Sequence, residues 1–380
     1  MLDSPRACWE ERGILFCLFP RGPRWGSPSR CPTAAAVVAS CTESLTVESI
    51  ETKGTLSEEP QVSLFVPTWN AGPEFPEIFA RMAKQKLDRP YEIVVIDSGS
   101  KDGTVEFLQG QPVRLFRIPN TEFNHGLTRN AGSELCKGEI ILLATQDAWP
   151  ADEHWMQALV DCFEDPAVMG AYARQLPRPD ANPFIKDRLS NWEAAKEEPR
   201  VQCIEGMEEW EALEPLEKLS RVAFDNVSSS VRKSVLQEIP FRERKFGEDL
   251  DWGMRAVLAG HKVVFQPKAK VIHSHNNSIW YEFKRVYADH QNLHQLFGVH
   301  TIKTWKDLRI CSWHASKMLF RVIKNDPGLG FFGRLWWWAK CLPLGYSQNL
   351  AQFWGARSTR KMAEGSFWYR WLDKRLRKGV

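Results

Sequence analysis

The sequence has no uninterrupted apolar stretch long enough to cross a bilayer, which excludes a helical membrane-spanning architecture for these 380 residues. It has no Cys-x-x-Cys pair, and its nine cysteines are an odd number. That spacing offers neither a zinc-ribbon ligand set nor a closed disulfide framework, and it fits reduced thiols in cytosol. A secretory signal is not expected either. The short apolar run 14–19 follows Arg6 and Arg12, but it is too short for an h-region and no small-residue cleavage site follows. There is no internal repeat, which excludes a solenoid, and no low-complexity tract.

What is present is an ordinary globular composition. Apolar residues make up 43% of the chain, enough for a sizeable core in two domains or in one large domain with appendages. The net charge of +3 conceals an asymmetry. Residues 301–380 carry 16 Lys/Arg against 4 Asp/Glu, a local +12, which leaves −9 for the rest. The same segment holds 8 of the 17 tryptophans.

Residues 1–60 are rich in Pro, Ser, Gly and Arg, then in Thr, Ser and Glu, and they lack periodicity; the expectation is a disordered leader. From residue 61 strands and helices alternate. Strands are expected at 62–66, 91–97, 113–118 and 139–145, separated by helices at 77–85, 104–109 and 128–136. This rhythm predicts right-handed βαβ units and an α/β fold with a mostly parallel sheet flanked by helices. Beyond Trp149 it loosens into a helix at 153–163, an extended segment at 168–175 and a loop leading into a helix over 178–198. A strand at 223–231, a helix at 248–258 closed by Gly260, and short strands at 262–265 and 270–275 follow. After Tyr281 the chain is mainly helical and aromatic.

Several residues carry chemistry on their own terms. Asp97 ends an aliphatic strand, where ligands of open α/β sheets bind; it can accept from a base or ribose, or cap the following turn. Asp102 reads as a turn or cap residue. In the helix opening at Glu248, the residues Leu250, Met254, Val257 and Leu258 define an apolar stripe, and Asp249 and Trp252 project from another face. Asp251 and Arg255 are spaced to pair. Acidic residues in a first turn are favoured by the helix dipole whatever the function. A positioned carboxylate is also what an attacking hydroxyl needs to lose its proton, and Asp249 is the candidate general base.

The order of motifs resembles family-2 glycosyltransferases of the GT-A fold over roughly residues 61–290. The phrases that carry the resemblance are Val62-Ser-Leu-Phe-Val-Pro-Thr-Trp-Asn70, the segment 92–104, a strand ending near an Asp, and Gly247-Glu-Asp-Leu-Asp251. Phe123-Asn-His-Gly-Leu-Thr-Arg-Asn130, Thr145-Gln-Asp-Ala148 and Arg174-Gln-Leu-Pro-Arg178 look like the bacterial rhamnosyltransferase branch. The division implied is a leader at 1–60, a GT-A domain at 61–290 and a basic, Trp-rich helical extension at 291–380.

The resemblance implies an inverting transfer of rhamnose from dTDP-rhamnose to a cell-surface polysaccharide or lipid-linked glycan. It implies donor contacts from Pro67, Thr68, Asn70, Asp97, Ser98, Arg129, Asn130 and Gln146, with Asn124 and His125 in the same pocket. Arg129, beside helix N-terminal amides, suits a diphosphate. Asp147 is the expected ligand of Mg2+ or Mn2+, although the family usually has Asp-x-Asp where this chain has Thr145-Gln146-Asp147. His273 and His275, two apart on one strand face, either complete the metal shell, touch the diphosphate, or are partly buried polar residues. Arg174, Gln175, Arg178, Asn226, Ser228, Glu248 and Trp252 are expected at the acceptor or sugar.

The basic aromatic tail suits the anionic inner face of a bacterial plasma membrane, or packs its tryptophans on the catalytic domain. No base-reading motif accompanies the charge, so nucleic acid is not an expected partner. Alternatives are a UDP-hexose donor and a non-catalytic sugar-nucleotide sensor.

Overall fold

The computed structural model describes residues 45–191 and 196–379. Three strands form the middle of the sheet: β2 (Val62–Thr68), β3 (Tyr91–Asp97) and β5 (Ile140–Ala144). They are apolar almost end to end because both faces are covered. Side chains alternate between those faces. Val62, Leu64, Ile93, Val95, Ile140 and Leu142 pack against α1 (Phe75–Ala83) and α4 (Trp155–Val160). Phe65, Val94, Ile96, Ile141 and Leu143 turn to the opposite layer, with α8 (Lys233–Glu238) and α9 (Glu248–Leu258). Each such aliphatic side chain contributes about 1.5–3 kcal/mol by leaving water. On that second face α3 (His125–Leu135) lies directly on β2. A Cβ at Gly132 would sit 2.1 Å from the Phe65 ring, so only glycine permits the approach.

The ten-stranded sheet runs β1 (Glu48–Ile50), β4 (Arg114–Arg117), β3, β2, β5, β9 (Ser228–Arg232), β7 (Val168–Leu176), β10 (Lys262–Ile272), β6 (Trp149–Pro150). The remaining strand, β8 (Arg200–Gln202), also pairs with β10. The β4–β3–β2–β5 block is parallel. β9 is antiparallel to both β5 and β7, and β10 is parallel to β7. The carboxyl ends of β2, β3, β4, β5, β7 and β10, and the amino end of β9, therefore emerge at one edge. This is the expected GT-A α/β architecture, followed by helices α10 (Ile279–Phe297), α11 (Trp305–Asn325), α12 (Phe331–Ala363) and α13 (Phe367–Leu376).

Three expectations need correction. Of the leader, residues 1–44 lie outside the described residues, but Glu48–Ile50 forms an edge strand on β4. The two short strands expected at 262–275 are one strand, β10, with a register shift between Gln266 and Lys270, and both histidines lie beyond its end. As expected, the segment after Arg178 is a loop leading into a helix, α5 (Pro183–Asn191). Helix α10 runs unbroken through position 290, where the extension was expected to begin. Two short helices, α6 (Met207–Ala212) and α7 (Pro215–Arg221), complete the second layer. In the tail some tryptophans pack and others stay open. Trp337, Trp338 and Trp354 pack against buried neighbours, while Trp336 stays 63% exposed.

Candidate functional site

The edge where the strands end is polar and closely stitched. Asp97, fully buried, accepts from the Thr68 hydroxyl at 2.9 Å and from the Gly99 and Ser100 amides at 2.9 and 2.8 Å, and the Ser100 hydroxyl fills its last acceptor position. The turn-capping alternative is thus the one realised. With all four positions taken, the carboxylate shapes the loop and offers nothing outward. Ser98 is buried on the Thr68 carbonyl, and Pro67 lies inside β2 opposite Ile96. Asn70 takes a left-handed conformation (φ 43°) and accepts from the Lys101 amide. Asp102 accepts from the Gly72 amide and caps Thr104. Gln146 grips the loop at both ends of one residue, accepting from the Trp69 amide and donating to its carbonyl. The Trp69 side chain is left 53% exposed at the mouth.

Next to Gln146, three donor atoms converge. Asp147 Oδ2 lies 3.0 Å from His275 Nε2 and 3.6 Å from His273 Nε2, and the two ring nitrogens are 3.1 Å apart. An ion held at about 2.1 Å by mutually perpendicular ligands separates them by roughly 3.0 Å. One carboxylate and two imidazoles therefore fit a divalent cation, with His275 half-exposed on the open side. The donor state fits as well. His273 Nδ1 lies 3.0 Å from Gln175 Oε1, and the Gln175 amide donates its nitrogen to Asp225 Oδ2. With the amide so oriented, His273 carries its proton on Nδ1 and directs the Nε2 lone pair inward. Burial alone would raise the Asp147 pKa; the adjacent His273 and His275 rings, when they carry protons in place of an ion, outweigh it and hold the carboxyl well below its usual range.

The same thread reaches α9. Gly247 opens this helix at φ 70°, a left-handed conformation that favours glycine, and a Cβ there would lie 2.2 Å from Nδ2 of Asn292 on α10. Asp249, in the first turn, accepts from the Leu250 amide at 2.7 Å and the Asn226 amide at 3.4 Å. Burial, followed by the nearby Glu248 and Asp225 carboxylates, pushes its pKa up to about 8. The Asp147–His273–His275 cluster is thus tied through Gln175 to Asp225, and Asp249 meets the same segment at the next residue, the Asn226 amide.

Other expected site residues are employed elsewhere. Arg129 lies in the second turn of α3, 3% exposed, and its Nη1 pairs with Glu248 Oε1 at 2.7 Å and with the His125 carbonyl. It does not face a diphosphate, and Glu248 is correspondingly not free for a sugar. Losing either partner of such a buried pair typically costs about 3–5 kcal/mol. Trp252 offers no face to a sugar. It is fully buried between Phe224 and Phe241 and donates to the Ile239 carbonyl. The buried side of α9 is rotated from the expected stripe: Trp252, Ala256 and Val257 are buried, while Leu250, Met254 and Leu258 are partly covered. The Asp251–Arg255 pair is present at 2.9 Å, joined by Arg244.

Asn124 caps α3, and Asn130 clamps Phe241 by both its backbone groups. Ser228 is buried, accepting from Trp155 Nε1. Asn226 is buried beside Asp249, accepts from Ser229, and keeps an Nδ2 without a partner. Arg174 reaches the exposed Glu197 at 3.2 Å. Arg178 is tied to Glu74 at 2.6 Å and lies over Trp149 at 5.6 Å.

Sequence reading missed Asp225 and Trp69. Asp225 stood immediately before an Asn and a polar strand at the sheet's active edge, a usable signal. Trp69 stood inside a motif already quoted, and its exposure depends on the Gln146 clamp, which links positions 77 residues apart.

The profile of the family described as Glycosyl transferase family 2 matches residues 63–211. Among curated proteins, the O-antigen chain rhamnosyltransferase RfbN of Salmonella typhimurium is 33% identical over 232 residues, which covers 60% of this chain and 70% of the relative. The O-antigen chain rhamnosyltransferase WbaN of Salmonella anatum is 30% identical over 233 residues, with the same coverage. Among solved structures, a mannosyltransferase from Pyrobaculum calidifontis in complex with GDP-Man and Mn2+ aligns over 86% of each chain at 15% identity and a TM-score of 0.45.

Proposed function

The chain belongs to glycosyltransferase family 2, and from that premise we propose that it is an inverting rhamnosyltransferase acting from dTDP-rhamnose on a surface polysaccharide or lipid-linked glycan. Glycosyl transfer itself follows from the family and from the O-antigen relatives. The observation that carries the residue assignment is the tie from Asp147, His273 and His275 through Gln175 to Asp225, next to the Asn226 amide that Asp249 meets.

Asp147, His273 and His275 would hold Mg2+ or Mn2+, which when bound neutralises charge building on a departing diphosphate. Gln175 fixes the His273 tautomer, and Asn70 and Trp69 edge the donor pocket at the tip of β2. Asp249 takes the proton of the acceptor hydroxyl as its oxygen bonds to the anomeric carbon and the bond to the diphosphate oxygen breaks on the opposite face. A carboxyl with a pKa near 8 suits that transfer, because its conjugate base is stronger than an ordinary carboxylate. Mass-spectrometric screening of dTDP- and UDP-sugars, with and without chelator, tests donor and metal together. Preference for a UDP-hexose would replace the rhamnose assignment, and binding with neither transfer nor hydrolysis would favour the sensor.

The acceptor end of the reaction is assigned to an anionic membrane surface. Among the described residues no helix is long and apolar enough to cross a membrane. Helix α12 nevertheless exposes Phe332, Leu335, Trp336, Leu342 and Tyr346, which recur at helical spacing along one face. Beside it α11 presents Lys317, Arg321 and Lys324, with Phe320 stacked on Trp338 at 5.0 Å to hold the two helices together. An apolar stripe flanked by cations suits the headgroup boundary of an anionic bilayer, the location of lipid-linked glycans.

A further inference from the structure

A cleft open to solvent lies between α5, the start of α10 and the middle of α12. None of the sequence motifs pointed to it, because its walls come from three segments far apart in the chain. Its rim begins at Asn277, two residues beyond His275, so the two Cα atoms are within roughly 8 Å. Asn276 fastens that segment to α5, accepting from the Asn182 amide and donating to the Asp180 carbonyl.

The lining combines aromatic faces with planar amides. Trp337 meets Phe184 edge to face at 5.3 Å, and the Lys340 ammonium lies over the Trp337 ring at 4.6 Å. Gln348 is 6% exposed, and its Oε1 has no hydrogen-bond partner. Arg188 is bound to Glu282 at 3.2 Å and keeps an Nε without a partner, while Asn277 occupies the other oxygen of Glu282 at 2.8 Å. The single acid in the cleft is therefore already satisfied. A buried amide oxygen left open is costly unless something else supplies the donor.

We infer that this cleft is the acceptor subsite and that it takes the sugar end of a hydroxyl-rich glycan. A sugar ring offers an apolar face to Trp337, hydroxyl donors to Gln348 and hydroxyl acceptors to Lys340. The inference rests on the glycosyl-transfer reading and extends it by naming where the acceptor sits. It also accounts for the placement of α12. One face of that helix carries Lys340 and Gln348 into the cleft, and the next exposes Leu335, Trp336 and Leu342 to the membrane side.

The test uses octyl rhamnoside, octyl galactoside and octyl N-acetylglucosaminide, below micelle formation, as probes in saturation-transfer NMR and titration with the full chain. At least one binds the parent protein. Lys340→Ala, which removes a half-exposed cation, weakens that binding roughly tenfold. Ile279→Trp, which fills the cleft, abolishes it. Both variants keep the parental affinity for dTDP-rhamnose with Mn2+ and the parental melting temperature. No glycoside bound by the parent, or binding undiminished in Lys340→Ala and Ile279→Trp, overturns the assignment. Failure of the parent to bind any nucleotide sugar instead overturns the donor reading, which the glycoside titration does not involve.

Discussion

Gln175 is the joint between the metal tripod and the candidate base, and replacing it separates the two functions it serves. Gln175→Leu keeps the volume but removes the acceptor for His273 Nδ1 and the donor to Asp225. The lost imidazole bond is worth about 1 kcal/mol, a factor of about five, and the freed ring also distributes between two tautomers. Together these place the loss in Mn2+ affinity at about 10–100-fold, the usual range for a partner that orients a ligand. Gln175→Glu separates the contributions. It keeps an acceptor for His273 but sets a second carboxylate against Asp225, so Mn2+ affinity holds while turnover falls at neutral pH. Titration of Mn2+ by electron paramagnetic resonance reads the first quantity and steady-state transfer the second. Unchanged Mn2+ affinity in Gln175→Leu, with the fold intact by circular dichroism, would refute the tautomer argument.

Six other outcomes are expected. Asp249→Asn keeps donor binding and loses transfer about 10²–10⁴-fold, as a general base should; parental turnover removes Asp249 from that role. Transfer rises with pH, because only the ionised Asp249 accepts a proton: below its raised pKa near 8 each pH unit costs about tenfold. Asp225→Asn moves that limb to lower pH by removing one of the carboxylates that raises it. The same shift means the native state binds more protons than the unfolded chain between the ordinary carboxylate pKa and about 8. Asp249 therefore makes the fold less stable as pH rises through that window, which urea titrations at several pH values would register.

Trp252→Ala lowers stability by about 3–5 kcal/mol in chemical denaturation, as a buried core indole should. A stable variant with a raised acceptor KM would restore the sugar-stacking role. Phe332→Glu with Trp336→Glu abolishes sedimentation with phosphatidylglycerol vesicles and leaves the oligomeric state unchanged. A change of oligomeric state would identify the stripe as a contact between copies of this chain.

Asp147 at a strand end was legible before any fold was known, whereas His273 and His275 were expected on a strand face with the metal shell as one of three readings, and only the fold sets them just past β10 beside Asp147. Arg129, Glu248 and Trp252 were misread, and for a shared reason. Their spacing on α3 and α9 was consistent with either an outward or an inward face, and packing between those helices decided it. The acceptor cleft left no local trace at all, because Asn277, Arg188 and Lys340 meet only through the docking of α12.

The sequence by itself determined the alternation of buried strands and amphipathic helices, and hence which chain positions emerge at the sheet's ligand-binding edge. Periodicity is a local property, fixed by backbone geometry and by transfer of apolar surface from water. Tertiary structure alone decided which polar groups at that edge are consumed by one another and which remain open. Asp97 is saturated by Thr68 and its own loop and Arg129 is paired with Glu248, whereas Asp147 meets His273 and His275 in a half-exposed cluster and Asp249 accepts only from the Leu250 and Asn226 amides. That distinction rests on distances between residues remote in the chain, which no local pattern encodes.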